Sequence, residues 1–373
     1  MNQISSTKPK VIANFLEKLG FGNQGWQERA SHYLMGLSAG FKRFNIESLS
    51  LASPQFTYRQ NYYFITEAQW NEEELNEKRI AFLNRDKRTK IQSDGLLIID
   101  DTSFKKWGSK TDGTYKQYSA EEGKIANCKV IVSSNYADNI RNYPLDLEPY
   151  YKDDVSKLRL AELLLIKAKN RHPQLKHTAF DSWYCKKSVI KTAEEEGLYF
   201  YSQLRQDRKV VYRKRLVKAS RLVKPASTSS VSSGKIYDFK EVYVNDLGTY
   251  RIIIWNSKIY ITNNYQISAS EVIDYYEKRW AIDQFYREVK DNLAFSQFQF
   301  RKGLYIFRHW LIVFLAYTFY IHQKLKGVFS KIYQGVVDTV SKMTKVLQNL
   351  NLARLSENPM NVLLAQLELK TIN

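Results

Sequence analysis

The sequence has little of what disulfide-stapled, zinc-built or membrane-spanning proteins depend on. It holds two cysteines, Cys128 and Cys185, far apart and in no CxxC spacing. That excludes a disulfide framework and a cysteine zinc site, and fits a reducing compartment. Histidine is scarce too, with 5 in 373 residues. No apolar run is long enough to span a bilayer, which takes about 20 residues. The most apolar stretch, Trp310 to Ile321, is flanked by Arg308, His309 and His322, so a buried helix and no membrane association are expected. The N-terminal Met1-Asn2-Gln3-Ile4-Ser5-Ser6 lacks the apolar core of a signal peptide, and a cytoplasmic location is expected. The last shortage is of acid. Only 38 Asp and Glu face 57 Lys and Arg, leaving a net charge of +19. A surplus that large repels itself unless a polyanion neutralises it, and nucleic acid is the expected partner.

What is present is a core-forming chain, 44% hydrophobic, with the size for two or three folding units. Residues 1–90 are expected to be mostly helical, a candidate DNA-end-binding region or a packing layer. At Leu96 the texture changes. Leu96-Leu97-Ile98-Ile99 is a continuous apolar run leading into Asp100-Asp101-Thr102, the pattern of a buried strand ending in polar residues. Cys128–Ser133 reads as a second strand and His177–Phe180, leading into Asp181, as a third. Helices are expected at Leu158–Lys169 and Lys187–Glu196, so the core is α/β. Residues 197–266 break that rhythm as a basic, β-rich insertion. Arg205 to Lys224 carries nine Lys or Arg, among them Arg213, Lys214 and Arg215, against one acid, Asp207. Pro225 to Gly234 is Ser-rich and reads as a loop. Strands are expected at Ile236–Val244, Thr249–Trp255 and Lys258–Thr262. Ser268-Ala269-Ser270-Glu271 matches a capping box opening a helix to about Leu293. Residues 326–373 are expected to form a C-terminal helical region, after a core made of 91–196 and 267–325.

The helix after the capping box carries the densest chemistry. On a helical wheel Tyr276, Arg279, Asp283, Arg287 and Lys290 lie within about 40° of Asp283. Tyr275, Ile282, Phe285, Val289 and Leu293 form a separate apolar stripe. One acid therefore sits among cations beside a core-facing stripe. Two strand-end acids, Asp100 or its neighbour Asp101 and Asp181, precede it in the chain. Carboxylates from strand ends and a helix can converge on a hard divalent ion such as Mg²⁺. Two such ions can support in-line phosphoryl displacement, so Asp100, Asp181 and Asp283 are the candidate metal ligands. Strand alternation sends Asp100 and Asp101 to opposite faces, so one of the two is expected to serve.

The series Tyr276-x2-Arg279-x3-Asp283-x6-Lys290 resembles the Tyr-(2)-Arg-(3)-Glu-(6)-Lys signature of the IS4 group of bacterial insertion-sequence transposases. Ile99-Asp100-Asp101-Thr102, with Lys105, Lys106 and Gly108 following, is similar to the first-acid segment of that group, in particular of its IS701 branch. Phe180-Asp181-Ser182-Trp183-Tyr184 is similar to the second-acid segment. The resemblance covers about residues 91–325. It implies a ribonuclease-H-like core with a DDE triad and the β-rich insertion between the second and third acids. It implies cleavage at terminal inverted repeats and strand transfer into target DNA, dependent on Mg²⁺ or Mn²⁺ with two ions. It also implies double-stranded DNA as partner and a homodimer in the DNA complex. Asp-x-Thr in the family favours Asp100 over Asp101. Tyr276, Arg279, Arg287 and Lys290, together with Lys105 and Lys106, are the implied DNA contacts, and Arg213, Lys214 and Arg215 are expected to add backbone contacts.

One position departs from the pattern. Asp283 stands where the family has Glu, which shortens the reach by roughly 1.3–1.5 Å, one C–C bond. Glu288 is the alternative third acid, but lies about 140° around the helix from Asp283. Trp107, Trp183 and Trp255 are weighed as base-stacking residues and expected chiefly in the core. His177 is expected to be structural. A ribonuclease-H-like nuclease or resolvase without strand transfer and a decayed DNA-binding protein are the competing expectations.

Overall fold

The computed structural model describes residues 10–38, 44–52, 56–108, 110–119, 122–223 and 235–328. The Ser-rich stretch from Pro225 to Gly234 and residues 329–373 of the expected C-terminal helical region lie outside the described residues. The chain divides into two compact units. One comprises Met1–Lys90, Trp107–Asp112 and Phe285–Asn373; the other comprises Ile91–Lys106 and Gly113–Gln284.

Five helices come first: α1 (Lys10–Leu19), α2 (Gln24–Ser38), α3 (Ile46–Ala52), α4 (Tyr58–Thr66) and α5 (Glu72–Arg85). Side-chain caps start four of them, with Asn23 Oδ1 accepting from Trp26 N–H on α2 and Asn45 Oδ1 from Ser48 N–H on α3. Thr57 and Gln60 form a capping box on α4, and the Asn71 side chain accepts from Glu74 N–H on α5. Three glutamates in the first turn of α5 favour that end of the helix dipole.

The second unit is built on one mixed sheet. Its strands are β1 (Leu96–Lys105), β2 (Thr114–Ser119), β3 (Lys124–Ala137), β4 (Asn142–Tyr150), β5 (His177–Phe180), β6 (Tyr199–Gln203), β7 (Lys209–Tyr212), β8 (Arg215–Lys218), β9 (Tyr237–Val244), β10 (Gly248–Trp255) and β11 (Lys258–Thr262). The order is β2-β3-β1-β5-β6-β11-β10-β9-β7-β8, with β4 also on β3. β1 and β3 are antiparallel, whereas β1 pairs parallel with β5 and β5 with β6. The helices α6 (Lys157–Arg171), α7 (Lys187–Glu195), α8 (Ser220–Val223) and α9 (Ala269–Glu277) complete the unit with the start of α10 (Trp280–Asn292). The start of β1 is a continuous apolar run for a physical reason. Leu96 to Ile99 are each 0% exposed, and a strand covered on both faces has no solvent side for polar residues.

Two expectations about elements change. The strand that carries the first acids does not stop at them. β1 continues to Lys105 because β3 still pairs with it there, Lys105 opposite Cys128. What stops is the parallel pairing with β5, whose last partners are Ile99 and Phe180. Likewise, the helix opened by Ser268 is two helices, α9 and α10. Between them Arg279 N–H bonds Tyr276 O (2.9 Å), Ala281 N–H bonds Lys278 O (3.0 Å) and Ile282 N–H bonds Arg279 O (3.2 Å). These i→i−3 bonds form a tight turn that separates the two helices.

The strands of residues 197–266 continue the core sheet through the β6–β11 pair. Their tight turns use left-handed residues. Asn256-Ser257 joins β10 to β11 at φ 47° and 62°, and Arg213-Lys214 joins β7 to β8 at φ 49° and 62°. Two-residue hairpins of this twist favour Asn and Gly.

The other unit is closed by α11 (Gly303–Leu325). This helix is long and apolar enough to cross a membrane, but 83% of its most apolar window is buried within the protein. It is a core helix, packed on α2, α4 and α5. Several of its buried polar residues are paired: Tyr33 OH and His309 Nδ1 lie 2.9 Å apart, and Arg79 Nη1 donates to Thr318 Oγ1 at 3.2 Å. Arg308 bonds Glu72 and the Ile65 carbonyl, which satisfies a buried guanidinium.

Candidate active site

Asp100 and Asp181 are placed by the same feature. Ile99 and Phe180 are the last paired residues of β1 and β5, so each acid is the next residue where that parallel ladder ends. Neighbouring strands are about 4.8 Å apart, which brings the two carboxyl-bearing residues side by side. Below them the strands are buried, and above them the sheet opens.

Alternation along β1 then separates the two adjacent acids. Asp101 is held by Tyr184 OH on Oδ1 (2.8 Å) and by Lys157 Nζ on Oδ2 (3.1 Å). Asp100 turns to the other partner set, its Oδ2 taking a 2.7 Å bond from Arg279 Nη1. The same Nη1 lies 3.6 Å from Asp283 Oδ2. Asp181 is fixed by its own turn, with Oδ1 accepting from the N–H groups of Trp183 (2.9 Å) and Tyr184 (3.1 Å). Its Oδ2 has no hydrogen-bond partner among the described residues.

The electrostatics follow from crowding and burial. Burial pushes the Asp100 carboxyl well above the usual carboxylate range, Arg279 pulls it down, and Asp181 and Asp101 add repulsion. Burial also raises Asp181, against the two backbone N–H bonds and Arg279, with Asp101 repelling it. The cluster is thus short of positive charge even with Arg279 present. Carboxylate oxygens in that state suit a hard divalent cation, which takes few protein ligands and completes its shell with water or phosphate. Among the described residues no three His, Cys, Asp or Glu side chains already enclose a point where an ion would sit.

The other expected residues are placed as follows. Arg279 is 9% exposed, and its Nε has no hydrogen-bond partner among the described residues. Tyr276, expected at DNA, is 4% exposed. It sits under Arg279, whose guanidinium is 5.8 Å from its ring centroid, and packs edge-to-face on Tyr260 at 5.4 Å. It therefore braces Arg279 from within the core. Lys105 pairs with Glu122 at 2.5 Å. Burial brings Lys106 down to about 7, so near neutral pH it carries only part of a charge. Arg213, Lys214 and Arg215 are all exposed at the tip of the β7–β8 hairpin. Arg287, Glu288 and Lys290 belong to the other unit. There the Glu288 carboxylate accepts a 2.6 Å bond from the buried Tyr317 hydroxyl of α11. His177 is buried, 2.9 Å from Tyr201 OH and stacked on Tyr275 at 4.3 Å. Burial lowers its pKa to about 4, so it is a neutral structural residue.

The tryptophans correct the sequence reading. Trp107 is 90% exposed and Trp183 is 43% exposed, so neither is a core residue. Trp280, which the reading passed over, is 53% exposed, with the Arg279 guanidinium 5.3 Å from its ring centroid. Lys157 and Tyr184 were missed as well. Lys157 had only one signal, its place at the start of a Leu-rich helix capped by Ser156, and nothing local tied it to Asp101.

The cryo-EM structure of a piggyBac transposase synaptic complex with hairpin DNA is similar in fold, with a TM-score of 0.52 at 10% identity, over 96% of this chain and 80% of that one. No curated protein matches the sequence significantly. The family described as the transposase DDE domain matches residues 91–319, more than half of the chain. That span contains Asp100, Asp181 and Asp283, and this chain belongs to the transposase DDE-domain family.

Proposed function

We propose that this chain is the DNA transposase of an insertion sequence of the IS4 group, IS701 branch. It would cut at terminal inverted repeats and join the freed ends to target DNA, acting as a homodimer on double-stranded DNA. The observation that carries the reading is the meeting of Asp100 and Asp181 at the end of the β1–β5 ladder, with Arg279 spanning Asp100 and Asp283. The order β4-β3-β1-β5-β6, antiparallel on one side of β1 and parallel on the other, supports a ribonuclease-H-like core.

Asp100, Asp181 and Asp283 would hold Mg²⁺, with Mn²⁺ able to substitute, as two ions. Bound there, the metal would polarise the scissile phosphate and lower the cost of forming an attacking hydroxide. The chain's own residues do the rest. Tyr184 and Lys157 hold Asp101 away from Asp100, so one β1 acid faces the site. The Trp183 and Tyr184 N–H groups fix Asp181 and leave Oδ2 to ligate. Arg279 stores positive charge beside the acids, available to a phosphate oxygen. The β7–β8 hairpin carries Arg213 and Lys214 at left-handed turn positions that cost about 1 kcal/mol each relative to Gly or Asn. Cations kept at such positions support a role in gripping the DNA backbone.

Incubation with Mg²⁺ and DNA carrying the element's labelled ends tests the proposal. Cleaved and joined products are expected. Cleavage without joining would make the chain a nuclease or resolvase. Binding without cleavage would make it a DNA-binding protein with a decayed site, Asp283 marking the loss.

A further inference from the structure

In the unit that holds residues 1–90, three helices end around one hollow. α5 packs on both α1 and α11. Lys18 of α1, Arg85 of α5 and His322 of α11 each stand in the last turn of their helix. These residues line a cavity of about 600 Å³. Phe82 lines it as well, its ring edge-on to His322 at 4.7 Å. Lys87 and Arg88 complete the basic lining, and all four of Lys18, Arg85, Lys87 and Arg88 are exposed. Asp86 is the single carboxylate among the lining residues.

A cation at a helix C-terminus offsets the helix dipole, which accounts for Lys18 and Arg85. It does not account for Lys87 and Arg88, which lie beyond the end of α5. Those two sit on a turn that is tied down. Asp86 Oδ1 accepts from Arg88 N–H at 2.9 Å, and the Asp86 carbonyl accepts from the N–H groups of Thr89 (3.0 Å) and Lys90 (2.8 Å). Asp86 Oδ2 lies 3.3 Å from His322 Nε2, and Arg85 Nη1 donates to the Lys18 carbonyl at 3.4 Å. The Arg88 N–H holds the Asp86 carboxyl below the usual carboxylate range, against the opposing effect of burial. The one acid is thus engaged in building the turn, while four cations share the hollow. Like charges gathered so closely repel one another until an anion joins them.

We propose that this hollow is a phosphate-binding site and, resting on the transposase reading for the source of the phosphate, that it takes the backbone of duplex DNA. It shares no residue with the acids of β1 and β5 or with the β7–β8 hairpin, which belong to the other unit. Arg85 and Arg88 offer planar guanidinium groups that can bond two phosphate oxygens at once, and Lys18 and Lys87 add point charges. Contacts to phosphate alone carry no base readout, so the site holds DNA whatever its sequence.

Two double variants of equal charge loss test the site in the full chain. One is Lys87→Gln with Arg88→Gln at the hollow; the other is Lys152→Gln with Lys191→Gln at exposed positions elsewhere. Affinity for a fluorescent duplex of arbitrary sequence is read over a salt series, and binding of inorganic tripolyphosphate is read by calorimetry. Each phosphate contact contributes about −0.9 to the slope of log K against log salt. The hollow variant is therefore expected to flatten the slope by about 2, and the control pair to leave it unchanged. Lys87→Arg with Arg88→Lys keeps both charges and the wild-type slope, which guards against a folding defect. An unchanged slope with lost tripolyphosphate binding overturns DNA as the ligand and leaves a site for free polyphosphate. An unchanged slope with unchanged tripolyphosphate binding, or equal flattening by the control pair, overturns the site itself. A wild type that binds no duplex overturns the transposase reading beneath it, and tripolyphosphate then decides the hollow by itself.

Discussion

The guanidinium of Arg279 lies 2.7 Å from Asp100 Oδ2 and 3.6 Å from Asp283 Oδ2, so one cation links the strand-borne acid to the helix-borne acid. Arg279 reaches Asp283 at i,i+4 spacing from the turn between α9 and α10. Asp181 completes the group from the next strand, without a contact of its own to Arg279.

Asp181→Asn is expected to lower DNA cleavage by about 10³-fold or more, on the order of 4 kcal/mol in the barrier, with DNA affinity nearly unchanged. Asn keeps the oxygen that accepts the Trp183 and Tyr184 N–H groups and loses the charge. Cleavage and binding assays on the same labelled DNA check this, and normal turnover would remove Asp181 from the catalytic assignment.

The same substitution is expected to stabilise the free protein at neutral pH. Burial raises Asp181 in the fold, so the folded state holds the proton more tightly than the unfolded state. The stability this lends is complete below the ordinary carboxylate pKa and is lost as pH rises through the raised value. Asp181→Asn should therefore gain on wild type above that value and match it in acid. A gain on the order of 1 kcal/mol would move Tm by about 2 °C, and melting curves across pH would show whether the difference fades in acid.

The third acid is separable by a pair of variants. Asp283→Asn should abolish cleavage, whereas Glu288→Gln should retain most of it. Gln can still accept the bond from Tyr317, so the stability loss should stay near or below about 1 kcal/mol. Cleavage that survives Asp283→Asn but not Glu288→Gln would reverse the assignment.

DNA affinity should fall steeply with salt, since each neutralised phosphate adds about −0.9 to the slope of log K against log salt. Replacing Arg213, Lys214 and Arg215 together with Ala should flatten that slope by about 2–3. Fluorescence anisotropy over a salt series measures it, and an unchanged slope would clear the hairpin of contact with DNA.

The sequence made the acids legible because burial imposes a composition: only strands covered on both faces read as Leu96-Leu97-Ile98-Ile99 or Thr178-Ala179-Phe180. It also carried the Ser268–Glu271 cap and the strands from Tyr237 to Thr262, where local turns and alternation decide structure. It did not show the break at Lys278-Arg279, since each residue there tolerates a helix and the interruption comes from i→i−3 bonding. Nor did it show the β7–β8 hairpin, whose Arg213-Lys214 turn lacks the Asn or Gly that signals such a geometry. Tyr276 was expected to contact DNA because a helical wheel drawn through the break places it beside Asp283, and nothing local marks it as buried. Trp183 and Trp107 were assigned to the core because tryptophan usually goes there; exposure is a property of the finished surface and leaves no local mark.

The end of the β1–β5 ladder has a consequence for the order of events in a newly made chain. Residues 96–99 and 177–180 are some eighty positions apart, and parallel pairing over such a separation forms late because the intervening loop must close first. Until it forms, Asp100 and Asp181 are not neighbours, and a slip of one residue would turn Asp100 to the opposite side of the sheet. The proposed site is therefore assembled only once this ladder has closed, and a chain folded short of that point has the two acids without the neighbourhood that joins them.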